Sequence, residues 1–292
     1  MTTTACLKDT LHSGEFVLAP GVFEMFSAKV ADRIGFKALY MTGYGVSGSY
    51  LGAADAGLVT YRDMVERART IAEGISVPLI ADADTGFGGL INVRATVRGY
   101  ESAGVQAIQI EDQEMPKKCG HTPGRRVIPA EEMVLKIRVA VEARRSPDFL
   151  IVARTDARTA HGLDEAIRRG RLYAEAGADV VFIESPESEA EMAEIGRSVG
   201  KPLLANMVEG GRTPILPAER LAELGYAIAI YPAVGFLAAA AALERAYAHL
   251  KRHGDSNGLP PEESYGFGRV CELMGFPEVW DFEKRWAERG PR

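Results

Sequence analysis

Eight short apolar runs punctuate the chain, at residues 16–19, 38–41, 78–81, 107–110, 150–153, 180–183, 202–205 and 227–231. Each is almost continuously apolar rather than alternating. That pattern predicts strands buried on both faces of a parallel sheet. Between them lie stretches of helical periodicity, at 61–74, 131–145, 163–176 and 188–199. In 131–145 the residues Met133, Ile137, Ala140 and Val141 share one face. Four strands are entered alike: an alanine- or leucine-bearing helix ends at Gly35, Gly104, Gly177 or Gly225, and the strand begins two or three residues later. A glycine there can take the left-handed conformation that closes a last helical turn. The third and seventh strands are entered through Pro78 and Pro202 instead.

Eight β–α units in about 230 residues predict an α/β fold of the (β/α)8 TIM-barrel type. An open doubly wound sheet uses the same units. No Ser/Gly-rich linker divides the 292 residues, so the expectation is one domain over 1–292 that includes a helical tail at 251–292. After a polar segment at 253–261, the tail reads as helical from 262 to 289. It carries Phe267, Leu273, Phe276, Val279, Trp280, Phe282 and Trp286, enough apolar surface to require a packing partner.

Composition narrows the function classes. With 34 basic and 40 acidic residues the net charge is −6, which disfavours a protein that coats nucleic acid or an anionic membrane. The longest apolar run, 233–243, is too short to span a bilayer. The N-terminal ten residues have no apolar core of a secretory signal. Cys6, Cys119 and Cys271 are scattered and odd in number, so a reduced, cytoplasmic protein is expected.

Chemistry in barrels gathers where strands finish. Asp82 and Asp84 follow the third run, Glu111, Asp112 and Gln113 the fourth, Arg154, Thr155 and Asp156 the fifth, Glu184 the sixth and Asn206 the seventh. Any one of these could be a helix cap or a turn residue. Carboxylates at successive strand ends repel one another unless a cation sits among them, and hard oxygen ligands suit Mg²⁺ or Mn²⁺. If extended, the Asp82-x-Asp84 pair would point both side chains the same way.

The run DQEMPKKCGHTPGRRV, residues 112–127, has no periodicity and reads as a mobile loop over the strand ends. Cys119 stands there among Lys117, Lys118, His121, Arg125 and Arg126. Neighbouring positive charge favours a thiolate, which would suit a proton donor; the alternative is an incidental cysteine on a solvated basic loop. Zinc binding by Cys119 and His121 lacks further ligands at zinc spacing. Gly43-Tyr44-Gly45-Val46-Ser47-Gly48 matches the dinucleotide fingerprint G-x-G-x-x-G. It follows the second strand, however, and the sequence after it shows no clean helical face.

These motifs carry a resemblance. YMTGYGVSGSYLGAADAG, ADADTGFGG, EDQEMPKKCGH, ARTDAR, IESP and LANMVEGGRTP together make the chain similar, over nearly its whole length, to the isocitrate lyase/phosphoenolpyruvate mutase superfamily. The K-K-C-G-H element resembles its carbon–carbon lyase branches. The resemblance implies a barrel whose last helix is exchanged between paired subunits of a homotetramer. It implies Mg²⁺ (or Mn²⁺) on Asp82, Asp84 and Glu111, partly through water, with Asp55 nearby. It implies a small di- or tricarboxylate substrate held by Thr42, Gly43, Tyr44, Asp55, Gly120, Arg154, Glu184 and Asn206. Cys119, Lys117, His121, Arg154 and Tyr40 would be catalytic, Cys119 as proton donor and Tyr40 as base. Methylisocitrate lyases carry an arginine shortly after the strand-eight Y-P element; here the stretch is YPAVGFLAAA, with Leu237 in that place. Together with MVEGGRTP, this resembles the 2,3-dimethylmalate lyase, petal death protein and carboxyphosphonoenolpyruvate mutase group. The implied activity is Mg-dependent cleavage of a 2-alkylmalate-type 2-hydroxy dicarboxylate to an α-keto acid and a carboxylate. Phosphonomutase, methylisocitrate lyase and oxaloacetate hydrolase or decarboxylase chemistries are the alternatives.

Overall fold

A computed structural model describes residues 5–120, 122, 124–260 and 264–288. Eight parallel strands close into a barrel in sequence order. They are β1 (Val17–Val22), β2 (Leu39–Met41), β3 (Leu79–Asp82), β4 (Ala107–Glu111), β5 (Leu150–Thr155), β6 (Val180–Ile183), β7 (Leu203–Asn206) and β8 (Tyr226–Tyr231). The open doubly wound sheet is thereby excluded, since β1 pairs with both β2 and β8. Most predicted runs lie within a residue or two of these strands; the first strand runs on to Val22, three residues past its predicted end. Asp82, Glu111, Arg154 and Asn206 belong to their strands rather than following them.

Helices alternate with the strands. They are α1 (Leu7–His12), α2 (Met25–Ile34), α3 (Gly43–Val46), α4 (Tyr61–Gly74), α5 (Leu90–Ser102), α6 (Ala130–Ala143), α7 (Ala157–His161), α8 (Leu163–Glu175), α9 (Glu189–Val199), α10 (Ala218–Glu223), α11 (Val234–His253), α12 (Phe267–Leu273) and α13 (Phe276–Ala287). The four strand-entry glycines all have positive φ, from 85° at Gly104 to 107° at Gly177, as a left-handed helix closure requires. The tail helix breaks into α12 and α13 at Met274–Gly275, where Gly275 has φ 81°. No helix among the described residues is long and apolar enough to cross a membrane.

The chain divides into two compact units, 1–236 and 237–292. In the first, strand periodicity separates two kinds of core. Leu39, Met41, Leu79, Ala81, Ile108, Ile110, Ile151 and Ala153 join the helices in one cluster. The intervening Tyr40, Ile80, Ala107, Leu150, Val152, Phe182 and Leu204 fill the barrel's interior. Continuing two residues at a time, the inward positions change from apolar to polar: Ile80 to Asp82, Ala107 to Gln109 to Glu111, Val152 to Arg154, Phe182 to Glu184, Leu204 to Asn206. Register then fixes the neighbours: Asp82 lies opposite Gln109, and Glu111 opposite Arg154. In the second unit Phe267, Trp280, Phe282 and Trp286 are exposed.

Candidate active site

Two charge clusters cap the barrel. The first is acidic. Asp82 Oδ1 accepts the backbone N–H of Asp84 at 3.0 Å, and Asp82 Oδ2 that of Gly43 at 3.3 Å. The extended geometry expected for Asp82-x-Asp84 is absent, because Asp84 adopts a left-handed φ of 46°. The carboxylates nevertheless converge: a Cβ on Gly43 would lie 2.5 Å from Asp82 Oδ2 and 3.6 Å from Asp84 Oδ1. Lys117 enters this cluster rather than solvent. Its side chain is 3 % exposed, and Nζ lies 2.5 Å from Asp55 Oδ1 and 2.6 Å from Asp84 Oδ1.

One ammonium does not balance four carboxylates. Burial pushes the Asp84 carboxyl up to about 6, against the pull of Lys117 and with Asp82 and Asp55 adding to the rise. Glu111 is raised well above the usual range by burial, which outweighs Arg154. Its Oε1 is buried and without a hydrogen-bond partner among the described residues. Burial would lower the Lys117 pKa, but Asp84, Asp82, Asp55 and Glu111 hold it well above the ordinary value, so Lys117 is a fixed cation. This surplus of hard oxygen donors fits a divalent cation. Among the described residues no three His, Cys, Asp or Glu side chains are close enough to ligate one ion directly. An ion here would keep part of its water shell, as Mg²⁺ does.

The second cluster is balanced. Arg154 Nε and Nη2 grip the two oxygens of Asp156, each at 2.9 Å. Arg154 Nη1 faces Glu111 Oε2 at 3.3 Å, Nη2 faces Glu184 Oε2 at 3.4 Å, and the guanidinium lies over the Phe182 ring. Asn206 Nδ2 donates to Glu184 Oε2 at 2.9 Å. Asp156 also takes Arg125 Nη1 at 2.6 Å. Burial works to raise the Asp156 pKa, but Arg154 and Arg125 hold it below the usual carboxylate range. Beneath them Asp112 accepts Thr155 Oγ1, Tyr173 OH and Arg169 Nη1 at 2.7, 2.7 and 2.9 Å.

The loop of 112–127 touches both clusters. Its base is an antiparallel bridge between Gln113 and Val127. Lys117 reaches into the acidic cluster and Arg125 into the balanced one. Between them Gly120 lies so near Arg154 that a Cβ there would overlap the guanidinium and sit 2.8 Å from Glu184 Oε2. Ser185 Oγ donates to the Gly120 carbonyl at 3.2 Å. Cys119 carries a partly exposed thiol. The solvated basic loop is therefore corrected at Lys117 and Arg125, both of which are buried. His121 lies outside the described residues.

Thr42 and Gly43 are buried at the end of β2 beside Asp82, and Tyr44 is 43 % exposed. The glycine-rich segment does open a helix, α3, continued by a π-turn at Ser47–Leu51. Its glycines serve close packing: a Cβ on Gly45 would sit 2.7 Å from Phe23 Cβ, and one on Gly48 2.5 Å from Phe236 Cζ. Tyr40 sits one layer down and donates to Gln109 Oε1 at 3.0 Å. Burial and then Asp82 raise its pKa well above the ordinary value, while Arg154 and Lys117 act in the opposite sense. Gln109, Arg125, Arg169 and Tyr173 were not singled out as site residues by the sequence reasoning. The signal for Gln109 was its place two residues before Glu111 on the inward face.

Comparison with known proteins agrees with this geometry. The sequence profile described as phosphoenolpyruvate phosphomutase matches residues 7–251. A 2,3-dimethylmalate lyase of Eubacterium barkeri is 50 % identical over 98 % of this chain and 99 % of its own length. A 2-methylisocitrate lyase of Aeropyrum pernix is 44 % identical over 97 % of this chain and 89 % of its own. The structure of an oxaloacetate acetylhydrolase bound to 3,3-difluorooxalacetate superimposes with a TM-score of 0.91 at 35 % identity, covering 97 % of this chain and 96 % of that one.

Proposed function

Because the chain belongs to the phosphoenolpyruvate phosphomutase family, we propose that it cleaves the C2–C3 bond of a 2-alkylmalate-type 2-hydroxy dicarboxylate. The products are an α-keto acid and a carboxylate. The observation that carries this reading is the packing of Gly120 on Arg154 and Glu184. It seats the loop residue that follows Cys119 against the group proposed to hold a substrate carboxylate.

Arg154 pairs with one carboxylate through the guanidinium edge turned away from Asp156, which suits a planar fork. Glu184, Asn206, Thr42, Gly43 and Tyr44 line the rest of the pocket, with Asp55 behind Lys117. Removal of the hydroxyl proton drives electrons into a C2=O bond as the C2–C3 bond breaks. Tyr40 is the group proposed to take that proton; Arg154 and Lys117 favour its ionised form, against the stronger opposing effects of burial and Asp82. The departing fragment is an enolate-like carboxylate. Cys119 delivers a proton to its carbon, while Lys117, His121 and Arg154 stabilise negative charge. A bound Mg²⁺ or Mn²⁺, held by Asp82, Asp84 and Glu111 partly through water, would supply positive charge next to the keto-acid oxygens.

The substrate proposal rests on Leu237, where methylisocitrate lyases carry arginine, and on the 50 % identity to a dimethylmalate lyase. A lactate-dehydrogenase-coupled assay tests it with 2,3-dimethylmalate, 2-alkylmalates, methylisocitrate and oxaloacetate, with Mg²⁺ and with EDTA. Mg²⁺-dependent keto-acid release from an alkylmalate, lost in Cys119→Ser, is expected. Leu237→Arg should depress that activity. Turnover of methylisocitrate alone refutes the Leu237 argument. Loss of oxaloacetate alone assigns a hydrolase or decarboxylase, and a ³¹P change on a phosphonate substrate assigns the mutase. We also propose a cytoplasmic homotetramer in which the apolar tail is exchanged between paired subunits, which light scattering of the full chain tests.

A further inference from the structure

Asp156 is shared by two arginines of different origin. Arg154 belongs to β5; Arg125 belongs to the returning limb of the 112–127 loop. Both reach the same oxygen, Oδ1, at 2.9 and 2.6 Å. The side chains of Arg125 and Asp156 are 1 % and 0 % exposed, so water does not screen the contact. Arg125 Nη2 donates onward to Thr159 Oγ1 on α7 at 2.6 Å. Asp156 is further fixed by its own N–H, which donates to Asp112 Oδ1 at 2.9 Å. The limb is pinned nearby, where the Glu114 N–H donates to the Arg126 carbonyl at 2.9 Å.

A rigid Asp156 dictates where Arg154 points. The bidentate grip occupies the Nε–Nη2 edge and turns Nη1 toward Glu111 and the pocket. The loop thus has two hands on the site: Gly120 rests on the guanidinium from above, and Arg125 holds the carboxylate that aims it. We propose that Arg125 is a positioning residue, which acts through Asp156 to set Arg154 for the substrate carboxylate only when the loop's returning limb is seated. The proposal rests on the reading of Arg154 as the carboxylate-binding group. It assigns no proton transfer to Arg125, which stays clear of the reacting atoms.

The test compares Arg125→Gln, Arg125→Lys and Thr159→Val in the full chain, each also combined with Asp156→Asn. Two readouts run in parallel: kcat and KM on the turned-over alkylmalate, and calorimetric titration with oxalate in the presence of Mg²⁺. Oxalate presents adjacent carboxylate oxygens and needs no turnover. Arg125→Gln is expected to raise both KM and the oxalate dissociation constant about tenfold, with kcat changed less than about threefold. Arg125→Lys, which still offers Asp156 one charged donor, should recover most of the loss. In the Asp156→Asn background the Arg125 substitutions should add nothing. A merely structural ion pair would lower the melting temperature without this KM selectivity or this non-additivity.

Unchanged KM and oxalate affinity in folded Arg125→Gln would overturn the proposal, as would equal penalties with and without Asp156→Asn. Where Arg125→Gln does not fold, Thr159→Val carries the test with an expected rise of about twofold. If the unaltered chain binds oxalate but turns over no alkylmalate, the substrate reading fails and the titration still decides the coupling. If it binds no oxalate at all, both readings fall.

Discussion

Two buried charge clusters sit side by side at the barrel's rim, and they are built on opposite principles. The cluster of Asp55, Asp82, Asp84, Glu111 and Lys117 sets four carboxylates against one ammonium. It leaves Glu111 Oε1 without a partner among the described residues and lifts Asp84 to about 6. The cluster of Asp112, Asp156, Glu184, Arg125, Arg154 and Arg169 sets three carboxylates against three guanidiniums, and every oxygen of both aspartates accepts a hydrogen bond. Burying unpaired charge is costly, so an unbalanced cluster persists where something else is to bind. The balanced cluster pairs its charges and satisfies both of its aspartates, Arg125 Nε being its member atom left without a partner among the described residues. We propose that one is a receptor and the other a mount.

The comparison breaks most sharply at Asp82. Asp82→Asn retains an acceptor oxygen for the Asp84 N–H but removes one negative charge from the over-acidic cluster. Keto-acid release should fall about a thousandfold, near 4 kcal/mol of barrier, and EDTA should impose a similar loss on the unaltered chain. The melting temperature should stay level or rise, because repulsion within the cluster is relieved. A fall of several degrees would show that Asp82 is scaffold rather than receptor.

Asp112→Asn asks the converse question. An amide would leave Arg169 short of its charge partner and turn donor atoms toward Thr155, Tyr173 or Arg169. Breaking a buried pair of this kind costs about 3 kcal/mol, or about 5 °C in melting temperature for a barrel of this size. Here stability should fall first. If activity fell while stability held, Asp112 would belong with the receptor. Cys119→Ser sharpens the contrast from the loop: turnover should drop about a hundredfold while oxalate binding with Mg²⁺ stays within about threefold, since the thiol belongs to neither cluster.

These clusters were unequally legible in the sequence. The strands were readable because burial on both faces makes them continuous apolar runs, and Gly35, Gly104, Gly177 and Gly225 marked the helix ends. The acidic receptor was readable because carboxylates at strand ends stand out against such runs. Lys117 was quoted for its motif, yet its burial between Asp55 and Asp84 depends on how the loop folds back, which local sequence does not encode. The mount was the harder half. Arg169 lies on α8, 57 positions from the Asp112 it serves, and in sequence it is one of three arginines between 168 and 171 that read as solvated surface. Its signal was faint but present: Ala166, Ile167, Gly170 and Tyr173 are buried around it, so an arginine at that phase of the helix needs a buried acid. The G-x-G-x-x-G segment matched a dinucleotide fingerprint that its sequence context already argued against, and its glycines pack against Phe23, Phe236 and Asp82.

The smallest effect tests where the mount ends. Glu165 joins it from the surface, accepting Arg168 Nε at 2.7 Å and Arg169 Nε at 2.8 Å. Arg168, then Arg169, bring its pKa down to about 2 against the opposing effect of partial burial. A carboxylate with a depressed folded-state pKa contributes stability that is present above its unfolded value, about 4.3, and is lost as pH falls toward 2. Its side chain is 26 % exposed, so screening holds the contribution to about 0.5 kcal/mol. Glu165→Gln should therefore lower the melting temperature by about 1 °C at pH 7, and the difference from the unaltered chain should vanish between pH 4 and 2. Arg169 would still reach Asp112, so KM should not move. A KM shift in Glu165→Gln would mean that the mount extends to the protein surface and that Arg169 depends on both of its acids to hold Asp112 in place.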